Sequence, residues 1–185
     1  MAPSDATGAA ADPVALTRRW LERAVIGLNL CPFAKAVQAK GQVRIVASDA
    51  TTPEALLAEL GEELLALRDM PAQETDTTLL VHPHVLQDFL DYNDFLDQAD
   101  ALVESLGLEG VLQVASFHPD YQFAGSAFDD IANCTNRSPF PTLHLLREDS
   151  VERAVAAFPD PDAIVERNVE TLERLGRERW DALLR

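Results

Sequence analysis

Apolar residues recur along this chain with two distinct periods. Between Asp12 and Leu30 they fall three and four apart, so that Leu16, Trp20, Ala24, Val25 and Leu28 share one helical face. Asp12 suits the N-cap and Pro13 the first helical position. Pro32 lacks the donor a continuing helix needs, so the regular helix should close near Asn29 or Leu30. A second short turn is expected from Pro32 to Ala39, before Gly41. The period then shortens: Val43 to Ala47 is a β-branched run and reads as a first strand. Thr51 or Thr52 caps the next helix, with Pro53 and Glu54 in its first turn and Leu57, Leu60, Leu64 and Leu67 as its buried stripe. Thr77 to Val81 reads as a second strand, ended by His82-Pro83-His84. A third long helix is expected from about Leu86 to Leu106, with Phe89, Tyr92, Leu96, Ala99, Val103 and Leu106 inward and Gly107 as its left-handed cap. Val111 to Phe117 and Thr142 to Leu146 are the third and fourth strands. Two C-terminal helices follow, one from about Ser150 to Phe158. The other starts at Asp160-Pro161 and runs through Val165, Val169, Leu172 and Leu175 to Trp180.

This order predicts a single α/β domain over residues 12–185, with a mixed sheet of about four strands covered by helices. Strands separated by helices favour parallel, right-handed crossovers. The fourth strand follows the third without an intervening helix, so it can pair antiparallel with it. Met1 to Ala11 offers nothing large to bury and reads as a disordered tail.

Between the third and fourth strands lie about two dozen residues with neither period, a length more often functional than a bare linker. Ligands in open α/β sheets gather beyond the carboxyl ends of the strands. Ser48-Asp49, His82-Pro83-His84 and His118-Pro119-Asp120 all fall at that edge. An antiparallel fourth strand would begin there too, making His118 and His144 neighbours.

Each candidate in this region has a chemical and a structural reading. His118 suits a general base, a metal ligand or a strand-end hydrogen bonder. His144, inside an apolar strand, is a supporting catalytic group or a satisfied core histidine. His82 and His84, two apart around a proline, point to different faces and do not make a metal site together. Asp120, Asp129 and Asp130 could orient a histidine, hold a metal or cap the loop. Asn133, Asn136, Arg137 and Ser138 concentrate amide, guanidinium and hydroxyl donors, as an anion clamp requires. Arg137 could equally tie the loop to Asp129 or Asp130. Cys31 lies where the first helix must break, with Lys35 just beyond. At the N-cap of a following turn, the helix dipole and the ammonium would favour its thiolate and covalent catalysis. Otherwise it is a small buried hydrophobe.

Composition narrows the classes. A formal net charge of −16 leaves no basic surplus to neutralise nucleic-acid phosphates or an anionic membrane. Two cysteines cannot build a disulfide framework, and no spacing typical of a zinc site occurs. With no signal-like apolar start and no long apolar run, a cytoplasmic location is expected.

The strings NLCPFAK, FHPDYQFAG and NCTNRSPFPTLHLLRE, followed by SVERA, resemble the bacterial domain of unknown function 1415 family over nearly everything after about Ala15. Carried over by position, the resemblance implies as motif residues Asn29, Cys31, Pro32, Phe33, Lys35, His118, Pro119, Tyr121, Phe123, Asn133, Asn136, Arg137, Ser138, Pro139, His144 and Arg147. It implies no activity. The residues themselves suggest a small enzyme acting on a polar or anionic metabolite. His118 would be its acid/base, Arg137 and Asn136 its clamp, Cys31 a nucleophile and His144 a support. The alternatives are a non-catalytic module that binds a small ligand or docks a partner, and a metal-dependent enzyme using His118, His144 and an aspartate.

Overall fold

The computed structural model describes residues 12–158, 160 and 162–184, so the expected disordered tail lies outside the described residues. Its centre is a four-stranded sheet built from β1 (Val43–Ala47), β2 (Thr77–Val81), β3 (Leu112–Phe117) and β4 (Thr142–Arg147). The strand order is β1-β2-β4-β3, with β1 and β2 parallel and β4 antiparallel to both β2 and β3. The last strand therefore inserts between two strands that precede it. Val81 and Phe117 both pair with Thr142, which brings the ends of β2 and β3 and the start of β4 to one edge.

Strand side chains alternate between faces, and each face has its own core. Leu80, Leu112, Leu143 and Leu145 pack against α3 (Pro53–Asp69) and α4 (Phe89–Ser105), through Leu56, Leu60, Leu64, Leu67, Tyr92, Phe95, Ala99 and Val103. Leu56, not Leu57, completes the buried stripe of α3. On the other face Val43, Ile45, Leu79 and Phe117 meet α1 (Pro13–Trp20) and the helices α6 (Asp162–Leu175) and α7 (Arg177–Leu184), through Trp20, Leu172 and Trp180.

Three elements depart from expectation, each for a physical reason. The first helix does not stop at Trp20 but widens into a π turn over Leu21–Ile26, with Gly27 N–H donating to Glu22 O and Leu30 N–H to Val25 O. Gly27 suits it because a Cβ there would collide with the Arg23 carbonyl oxygen. α4 begins after Asp88, whose carboxylate accepts from the N–H groups of Leu90 and Asp91. Leu86, expected to be helical, sits at φ 56, which ends any helix. The last helix divides at Gly176, where φ is 77. Val165, expected inside, is 64% exposed, because α6 turns Asn168 inward to donate to the Leu30 carbonyl.

Arg147 joins the layers. At the end of β4 its guanidinium donates to the carbonyls of Leu67, Met70 and Thr75, capping the C-terminus of α3 with a positive charge. Arg147→Leu should therefore lower stability by on the order of 3 kcal/mol, as half-buried charge-assisted hydrogen bonds are lost. Arg147→Lys should recover only part, since an ammonium lacks the fork. Urea midpoints check this, and wild-type stability in Arg147→Leu would refute it.

Candidate functional site

The long loop is ordered by its own polar side chains. Its end winds into a 3-10 turn, Ile131–Asn136, capped by Asp130. Asn133 is fully buried, and its amide oxygen accepts from Phe123 N–H and Ser126 Oγ while its nitrogen donates to Ala127 O. Asn136 donates to Ser116 O and accepts from His118 N–H through its own carbonyl. Ser138 Oγ donates to Phe140 O. Arg137 lies over the Phe128 ring and donates to Tyr121 O and Phe128 O, neither of them a carboxylate. The four residues expected to clamp an anion are thus engaged in holding the loop together.

His118 is likewise a fastener. It is fully buried, and its Nδ1 accepts from the Asp120 N–H at 3.0 Å. That fixes the proton on Nε2, which donates to Leu86 O at 3.2 Å and holds the strained residue in place. Burial lowers its pKa, keeping it neutral. His82 stacks on Tyr92 and donates from Nδ1 to Val85 O, leaving Nε2 buried without a partner. Tyr92, expected only as an inward residue of its helix, accepts from Phe117 N–H and donates to Thr142 O, clasping β3 and β4 where they meet.

His118 and His144 do not become neighbours, although β4 is antiparallel as that expectation required. Register explains why. His144 pairs with Ala115, and His118 is three residues further along, so an odd separation sends the two rings to opposite faces. The metal site shared by both histidines is therefore not assembled.

His144 instead forms part of a cavity of about 360 Å³ between the sheet and α1, α2 (Ala34–Ala39) and α5 (Glu148–Ala156). Trp20, Leu21, Val25, Phe33, Leu79, Phe117, Leu146 and Val151 make it predominantly apolar, and Cys31 and Thr77 also line it. The π turn supplies Leu21 and Val25, and such turns are frequent at functional sites. His144 Nε2 lies 2.7 Å from Thr77 Oγ1, and burial pushes its pKa down to about 4.

Cys31 reaches this cavity by a different route from the one expected. α2 starts only at Ala34, and its N-cap is Phe33, so Cys31 lies in the preceding turn and the helix-dipole argument for its thiolate lapses. Lys35 is exposed on α2. Cys134 is buried, and Arg177, distant in sequence, donates to its Sγ at 3.3 Å. Burial raises the Cys134 thiol pKa, against the opposing pull of Arg177 and Arg137.

With this geometry established, comparison with known proteins adds a family. Residues 12–182 match the model described as protein of unknown function (DUF1415). The chain belongs to that family. No curated protein and no solved structure matches it. Among the described residues, no helix is long and apolar enough to cross a membrane. For this DUF1415 chain, the cavity residues Leu79, Phe117 and Leu146 were missed because they read as ordinary strand residues. Counting alternation onward from His144 places Leu146 on the same face of the strand.

Two outcomes follow. An alkylating reagent should modify Cys31 in the native protein and Cys134 only after denaturation, because only Cys31 is partly exposed; early modification of Cys134 would contradict the burial. The second concerns acid. His82 is lowered from 6.5 to about 4 by burial, and so is His144. The unfolded chain then binds more protons than the native one between those values, so stability should fall as pH drops from 6.5 towards 4 and level off below. For His82 alone the loss is roughly 3 kcal/mol. His82→Phe, which keeps a ring beside Tyr92, should flatten the slope of melting temperature against pH; an unchanged slope would contradict it.

Proposed function

We propose that this protein binds a small, largely apolar molecule in the cavity over His144. The observation that carries this reading is the cavity itself: about 360 Å³ of space walled by Trp20, Phe117, Leu79 and Val151, with few polar groups. Concave, mostly apolar sites with a few placed polar groups are the usual form of small-molecule sites. An anionic metabolite held by Arg137 and Asn136 is the weaker reading, since both side chains already donate within the fold. The net charge of −16 favours a protein that avoids nucleic acid and anionic membranes, and a cytoplasmic setting fits the absence of a long apolar run.

A second reading is favoured by one observation. Cys31 and His144 line the same cavity, as a thiol nucleophile and its supporting histidine would in a covalent enzyme. Binding and catalysis separate on mutation: Cys31→Ser would abolish turnover and keep binding if the thiol reacts.

An uncharged, environment-sensitive naphthalene dye should bind with one-to-one stoichiometry and a blue-shifted emission. Ala154→Trp, which places an indole in the cavity from α5, should weaken that binding at least tenfold while circular dichroism stays native. Equal dye affinity in folded Ala154→Trp would sink the proposal.

A further inference from the structure

What the cavity can accept is set by its few polar groups, and the inference below rests on the cavity being a ligand site. Of the residues that line it, only Asp76 carries a formal charge, and its Oδ1 accepts from Ser150 Oγ at 2.7 Å. Among the described residues, no lysine or arginine lines it. A carboxylate or phosphate entering would lose its hydration, find no cation and meet Asp76.

Besides Asp76, the polar groups of the lining are Thr77, Gln113, Ser150 and the ring of His144, and the protonation state of that ring follows from its partner. Thr77 Oγ1 donates its only proton to the Leu145 carbonyl at 2.6 Å. Towards His144 it can therefore only accept, so Nε2 carries the ring proton. Nδ1 is then a bare acceptor, and it has no hydrogen-bond partner among the described residues. The burial that lowers its pKa keeps it an acceptor at neutral pH. Size sets the remaining limit. A dry cavity of about 150 Å³ holds benzene. The space here, about 360 Å³, is a little over twice that, which suits a body about the size of two fused rings.

We propose that the cavity selects an uncharged, largely apolar molecule of about two fused rings, carrying one hydroxyl or N–H that it donates to His144 Nδ1. A carboxylate of the same shape is excluded, and a hydrocarbon of the same shape binds less well. Cys31 lines the same cavity from the turn before α2, so a bound molecule of this kind would also be presented to its thiol.

Three probes of one shape test this: 2-naphthol, naphthalene and 2-naphthoate, each competed against the naphthalene dye at pH 7. The wild-type protein should bind 2-naphthol about tenfold more tightly than naphthalene, the equivalent of about 1.4 kcal/mol, and 2-naphthoate not measurably. His144→Phe should erase the advantage of 2-naphthol and retain naphthalene. The wild-type comparison stands by itself if that variant fails to fold. Naphthalene equal to 2-naphthol, or 2-naphthoate equal to it, would overturn the inference and leave the cavity as a ligand site. If neither the dye nor any of the three binds, the ligand-binding function falls with it.

Discussion

The insertion of β4 between β2 and β3 is the constraint on which the rest of the molecule depends. It is antiparallel to both neighbours, so its residues from Thr142 to Leu146 are fixed in register on two sides. A slip of one residue would exchange the faces: Leu143 and Leu145 would leave the α3–α4 core, and His144 would enter it. The same register directs Arg147 to the C-terminus of α3 and seats His144 against Thr77. One strand thus closes a core, caps a helix and furnishes a cavity.

The edge where three strands meet is held together as a joint by its own polar side chains. Buried polar groups are as a rule paired, and here, His82 Nε2 apart, the pairs are internal: Asn133 organises the loop, Arg137 answers two carbonyls, His118 spans Asp120 and Leu86. Polar richness in a long loop therefore reflects the cost of folding irregular backbone, which has no ladder to satisfy it. The opposite face has its space under few polar groups, where a ligand rather than the chain can meet them.

Much of the fold could be read directly from the sequence. Periodicity located all four strands, and Asp12, Thr52 and the glycine after α4 marked helix ends through capping chemistry that acts within a few residues. What depended on longer range was not legible. The π turn leaves the apolar spacing of Trp20 to Leu28 nearly unchanged, so no local signal marks it. Leu86 adopts φ 56 with its carbonyl held by His118, 32 residues away in the sequence and just past the end of β3. For the site, Cys31 and His144 were both singled out, yet their shared cavity depends on strand order and on the packing of α5, which spacing does not encode. Arg177 on Cys134 is a contact between residues 43 apart, beyond any local pattern.

The most direct test of where function resides is a methyl-resolved NMR titration of the whole chain with 2-naphthol. If the cavity over His144 is the site, saturable shifts should appear at the methyls of Leu21, Val25, Leu79 and Val151, which line it. Leu90, 71% exposed at the start of α4 near the loop, should stay still. Shifts confined to Leu90 and Ile131 with the cavity methyls unmoved would contradict the account and return the site to the loop edge.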